Sequence, residues 1–101
     1  MATVTYLATK TGHQPDRTQI DLGNVTTGIH AVSAGTPIKL GEGAISSLIV
    51  QNLFVNQDGT ANTETVVVCD KAKSSGLELI PGQVTPSIAA ENLDDIWLRV
   101  K

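Results

Sequence analysis

The chain is a series of short β-branched stretches, each cut off after a few positions by residues that turn the backbone. Val, Ile and Thr make up 30 of its 101 residues. Their branched Cβ atoms favour extended backbone over helix. Turn chemistry falls at Ser33-Ala34-Gly35, Gly41-Glu42-Gly43, Asn56-Gln57-Asp58-Gly59-Thr60, Pro81-Gly82 and Asn92-Leu93-Asp94. Extended segments bounded this way every 8–12 residues or so predict an all-β fold, an antiparallel β-sandwich or jelly-roll-like domain. No stretch carries a convincing helical period, although residues 87–93 have room for a single turn.

The expected strands cover residues 29–32, 37–40, 45–55, 63–69, 77–80, 83–89 and 95–100. The strongest is 45–55. Leu48, Val50 and Phe54 share one parity, and Ile49, Leu53 and Val55 the other. A strand apolar on both faces is expected between two layers, or under a partner subunit. Gly59 suits a hairpin connection, and Pro81-Gly82 a type II turn. Pro86 points to an edge or a bulge. In the last segment Ile96, Leu98 and Val100 share one face, and Trp97 lies on the other.

Residues 1–28 read differently. Strand-like pieces at 3–8 and 18–22 flank a polar loop containing Gly12 and Pro15. The alternation of Thr5 and Leu7, and then of Ile20 and Leu22, is weak. The expectation is an extended N-terminal arm or edge hairpin over 1–28, followed by a β-sandwich domain over 29–101.

Several functional classes drop out. No apolar run reaches the roughly 18–20 residues of a membrane span. The first residues lack the basic and apolar regions of a signal peptide. The formal net charge of −3 argues against a nucleic-acid footprint, and Tyr6, Phe54 and Trp97 are too few to build a base-stacking platform. Cys69, the single cysteine, can form neither an intrachain disulfide nor a cysteine zinc site.

The search for catalysis is equally bare. His13 and His30 have neither a second imidazole nor a carboxylate at ligand spacing. Cys69 ends an apolar strand with no histidine near in sequence, so it reads as a small core residue rather than a nucleophile. Asp94 and Asp95 would point to opposite faces of a strand and so form no acid–base dyad. The Asn56–Thr60 loop lacks the later glutamate of a calcium loop. No catalytic residue, cofactor or metal site is expected.

Three segments carry a resemblance: Val66-Val67-Val68-Cys69-Asp70, then Gly76-Leu77-Glu78-Leu79-Ile80-Pro81-Gly82-Gln83, and Asn92-Leu93-Asp94-Asp95-Ile96-Trp97-Leu98. Together they resemble a module of small structural proteins of tailed bacteriophages. In that module a V-x-V-G-D strand end leads through G-I-x-L-x-P-G-E to a closing N-L-x-x-I-Y-V strand. The likeness spans about residues 29–100. It departs at Cys69, where the module has Gly, at Gln83, where it has an acidic residue, and at Trp97, where it has Tyr.

The resemblance implies a virion structural protein and not an enzyme. The expected role is capsid decoration (cement), on the outer capsid surface and bridging major capsid protein subunits. It also implies a homo-oligomer, a trimer matching three-fold lattice points. The expected interface is Tyr6, Leu7, Ile20 and Leu22 on the arm, together with Trp97. The alternatives are a tail or head-fibre component and, further off, a carbohydrate-binding module.

Overall fold

The computed structural model describes residues 1–10, 25–73 and 76–101. Among them the chain forms eight strands: β1 (Ala2–Lys10), β2 (Val25–Val32), β3 (Ile38–Lys39), β4 (Ile45–Asn52), β5 (Val66–Cys69), β6 (Gly76–Leu79), β7 (Ile88–Ala89) and β8 (Trp97–Val100). A 3-10 turn, Leu93–Asp95, precedes β8. The strands make two antiparallel sheets, ordered β2-β1-β4-β7 and β3-β8-β5-β6. The expected all-β, two-sheet antiparallel architecture is therefore present.

One apolar core serves both sheets. Ala2, Val4, Ala8, Val32, Leu48 and Val50 come from the first, and Val66, Val68, Leu79 and Leu98 from the second. Register explains which side chains enter it. Val4 lies opposite His30 and Asn52, Tyr6 opposite Gly28 and Val50, and Ala8 opposite Thr26 and Leu48. Even-numbered positions of β1 through Ala8, of β2, and of β4 from Leu48 on therefore share the core face, and past the register shift at Thr9/Lys10 the core position is taken by Ile45. In the second sheet Val66 pairs with Leu79 and Val100, and Val68 with Leu77 and Leu98.

The N-terminal arm is corrected. Residues 2–10 are an interior strand hydrogen-bonded on both sides, and Ala2, Val4 and Ala8 are fully buried. Small residues carry the core alternation of this strand, and they give little hydropathy signal. Leu7, the apolar residue that stood out, faces the other way. β1 and β2 do form a hairpin, and β2 continues through position 28. The expected piece at 18–22, with Ile20 and Leu22, lies outside the described residues, as does His13.

The turns follow their residue chemistry. Gly82 has φ +89° and Gly59 φ +87°, conformations that cost glycine least. The Gln83 N–H donates to Ile80 O at 3.0 Å, closing the Pro81-Gly82 turn. The expected strand at 45–55 ends sooner, at Asn52, and Phe54 is exposed.

Its end is set by a polar joint. Asn52, fully buried, donates through Nδ2 to Glu64 O and Leu79 O, each at 2.9 Å. Its Oδ1 accepts from Asn62 Nδ2 at 2.6 Å. Asn62 also donates to Leu53 O at 2.7 Å and accepts from the Glu64 N–H at 3.0 Å. One side chain of the first sheet thus satisfies carbonyls at β6 and at the entrance to β5. A second cluster holds the start of β1. Thr3 Oγ1 donates to Asn56 Oδ1 at 2.9 Å, and Asn56 Nδ2 donates to Met1 O at 3.3 Å.

Asn52→Ala would take the side-chain donor away from two carbonyls and leave one Asn62 N–H without its acceptor in a buried site. Each unmet group costs roughly 1–3 kcal/mol. The expected loss is about 3–5 kcal/mol, a fall of at least about 12 °C in Tm for a domain this size. Thermal unfolding followed by circular dichroism measures it, and a fall under about 4 °C would show that the sheets are joined mainly elsewhere.

Candidate interaction surface

Charge is distributed very unevenly between the two sheets. Of the described Asp, Glu, Lys and Arg residues, only Lys10, at the end of β1, lies in a strand of the first sheet. The second sheet carries Lys39, Glu78 and Arg99, with Lys101 paired to Glu78 at 3.0 Å. The Lys71–Asp95 ion pair, also 3.0 Å, sits just beyond it.

The outer face of the first sheet follows from the odd-numbered positions. Leu7 lies opposite Thr27 and Ile49, Thr5 opposite Ile29 and Gln51, and Gln51 is bridged to Val84. Leu7 and Ile49 are each 40% exposed, Ile29 46% and Val84 53%. Leu7, Ile49 and Val84, set among Thr5, Thr27 and Gln51, line an open groove of about 390 Å³, and Ile29 lies next to Thr5 on the same face. The second apolar parity of the strand at 45–55 emerges here, with Ile49 at the surface. Scattered exposed aliphatics are ordinary, but a contiguous set without a charge marks a surface fit for contact.

The expected interface residues separate. Leu7 lies in this face. Tyr6 does not, because it points to the core side and stacks on His30, with ring centroids 5.9 Å apart and planes 12° from parallel. His30 Nε2 lies 2.6 Å from Leu40 O, which makes it a structural histidine. Tyr6 also lies over Gly28, where an added Cβ would run into the ring. Gly28 therefore keeps this place clear for the ring, a role that residue spacing alone does not disclose.

Trp97 sits on the outer face of the second sheet, far from Leu7 in the topology. It is half-buried under the loop after β5, with the Lys73 ammonium 4.1 Å from the ring centroid, a cation–π contact. Its Nε1 is buried with no hydrogen-bond partner among the described residues. Ile29, Ile49 and Val84 are the surface residues that reading one strand at a time misses. Period-2 parity identifies each as outward only once strand pairing is known.

The described residues contain no group of three or more His, Cys, Asp or Glu side chains placed to hold a metal. Cys69 is buried and its Sγ contacts Trp97 O at 3.4 Å. Burial pushes its thiol above the ordinary value, against the pull of the Arg99 guanidinium, which is the reverse of what a nucleophile needs. No family model matches the chain, and no curated protein or solved structure matches it significantly.

Two outcomes are expected. Gly28→Ala drives a methyl into a rigid ring and should cost about 1–3 kcal/mol, as overpacking does; an unchanged denaturation midpoint would show that Tyr6 can move aside. Cys69 should make the protein lose stability as pH rises. Its folded pKa lies above the ordinary 9.0, so its contribution is intact below that value and lost as pH climbs through the folded one. Urea midpoints at pH 7 and pH 10 should therefore fall further for the natural chain than for Cys69→Ala, and equal falls would refute this.

Proposed function

We propose that this chain is a structural protein of a tailed-phage virion, a capsid decoration (cement) protein. It lies on the outer capsid surface and stabilises the shell by bridging major capsid protein subunits. The observation that carries this reading is the outer face of the first sheet, uncharged among the described residues, backed by a second sheet bearing the ion pairs. Such a molecule has one side made for contact and another made for water. Uncharged, partly apolar surface can be desolvated against a protein without stranding ions, whereas buried unpaired charge is costly. Copies spread over a lattice add weak contacts through multivalency.

The strand orders support a jelly-roll reading of the fold. Counted in a circle from β2 round to β1, they become 1-8-3-6 and 2-7-4-5, the interleaving produced when a long hairpin folds over on itself. The ends of that circle lie together. Met1 N is 3.9 Å from Glu64 Oε1, and the Lys101 N–H donates to Thr65 O at 2.8 Å. On this reading β1 takes the place of the closing strand.

The test is binding of purified protein to shells of the source phage that lack it, with copies counted per particle. Saturable binding at hundreds of copies is expected. Leu7→Lys and Ile49→Lys place a charge on the proposed contact and should each weaken binding about tenfold or more, with Tm nearly unchanged because both side chains are half in water. Binding confined to tails would leave a virion protein with a different seat, and unimpaired binding by both variants would move the contact off this face.

A further inference from the structure

β2 is the least protected sheet edge among the described residues. It pairs with β1 on one side only, in unbroken register from Ala2↔Val32 to Thr9↔Val25. Its eight residues include no Pro, Asp, Glu, Lys or Arg. Natural sheets guard their edges with charge, proline, bulges or shortness, because an open edge presents a row of unpaired N–H and C=O groups to any other strand. The other three edges have such guards. β7 is two residues long and follows Pro86, and β3 is two residues long, follows Pro37 and contains Lys39. β6 is four residues long, with Glu78 held by Lys101.

We infer that β2 is an assembly edge and that its occupant is β2 of a second copy, paired antiparallel about a two-fold axis. Self-pairing follows from the inventory of edges. A head-to-tail ring, including the cyclic trimer that the resemblance implies, needs a second long open edge on the same chain, and the described residues present none. A two-fold contact needs only one. Parity is also satisfied. With the axis perpendicular to the sheet and passing through one residue position, opposed residues lie on the same face, so core faces join core faces. The exposed Thr27 and Ile29 of the two copies then meet across the axis. The two four-stranded sheets become one of eight strands, and the uncharged face carrying Leu7, Ile29 and Ile49 is doubled in extent. Strand addition of this kind draws its affinity from main-chain hydrogen bonds.

The experiment is sedimentation equilibrium of the full chain without any shell, so its result is independent of the decoration reading. A species of twice the 10.6 kDa chain mass is expected at micromolar concentration. A monomer at every concentration, or a trimer, overturns the inference. The double variant Thr27→Lys/Ile29→Lys sets like charges against one another across the axis and should be monomeric, whereas Ile49→Lys, on the face but off the edge, should remain dimeric. Loss of the dimer in both would assign association to stacking of the faces and overturn edge pairing. Hydrogen exchange of the natural chain gives a check that needs no variant. The alternate amides of 25–32 that point away from β1 should lose protection on dilution while those of β4 keep it, and concentration-independent protection of those outward amides overturns the inference.

Discussion

Asn52 stands where the first sheet gives out, and its amide is the joint on which the two-sheet arrangement depends. The core alone would press two apolar faces together with little to fix their relative position, since burial of hydrophobic surface is non-directional. Two carbonyls received at 2.9 Å and one amide received at 2.6 Å supply the direction. They bind the end of β4 to β6 and to the approach of β5. Asn62 extends the joint to Leu53 O, which explains why β4 stops at Asn52 although apolar residues follow. Beyond Asn52, the Leu53 N–H still donates to Thr3 O, while Leu53 O and Phe54 O accept from the side chain and backbone of Asn62. A buried network of this kind fixes geometry when every member is satisfied.

The joint also shows what residue patterns disclose and what they do not. Strand existence was legible wherever β-branched residues met turn residues, as in 63–69 with its Val66-Val67-Val68 run, or 95–100 with Ile96, Leu98 and Val100 on the core side. Glycine and proline marked the turns well, because backbone conformation at Pro81-Gly82 is a local property. Long-range polar contacts were not legible. Asn52, Asn56 and Asn62 look like loop residues in a sequence, and their burial depends on carbonyls contributed by distant strands. β1 failed for a related reason. Its core face is Ala2, Val4, Tyr6 and Ala8, small at both ends, while Leu7 drew the eye to the solvent side. A one-residue change of parity exchanges the two faces, so a strand with small core residues is easily read inside out.

The candidate surface was legible in one residue, Leu7, and hidden in the rest. Ile29, Ile49 and Val84 come from three separate segments, and only the register places them beside it. Trp97, the most conspicuous residue of the sequence, turns out to have a local explanation in the Lys73 ammonium above its ring. A large aromatic draws attention through its size, yet a surface is made by neighbours, and the neighbours here are Thr, Gln, Leu, Ile and Val.

The division of charge connects these observations. A domain of this size cannot bury all its apolar surface, and what remains exposed must be kept from indiscriminate association. Among the described residues the charges borne by strands, Lys10 apart, lie on the second sheet, Glu78–Lys101 and Lys71–Asp95 are paired, and the edges β3, β6 and β7 are short. Among the described residues, β2 and the outer face of its sheet carry no charged side chain. Protection applied to three edges and one face, and withheld from the remaining edge and face, is selective. The selection costs solubility at one surface only, and it directs whatever association occurs to that surface. Edge and face belong to the same sheet, so a strand added at β2 enlarges the contact face instead of covering it. Pairing between copies and docking onto a larger body are therefore compatible uses of one sheet.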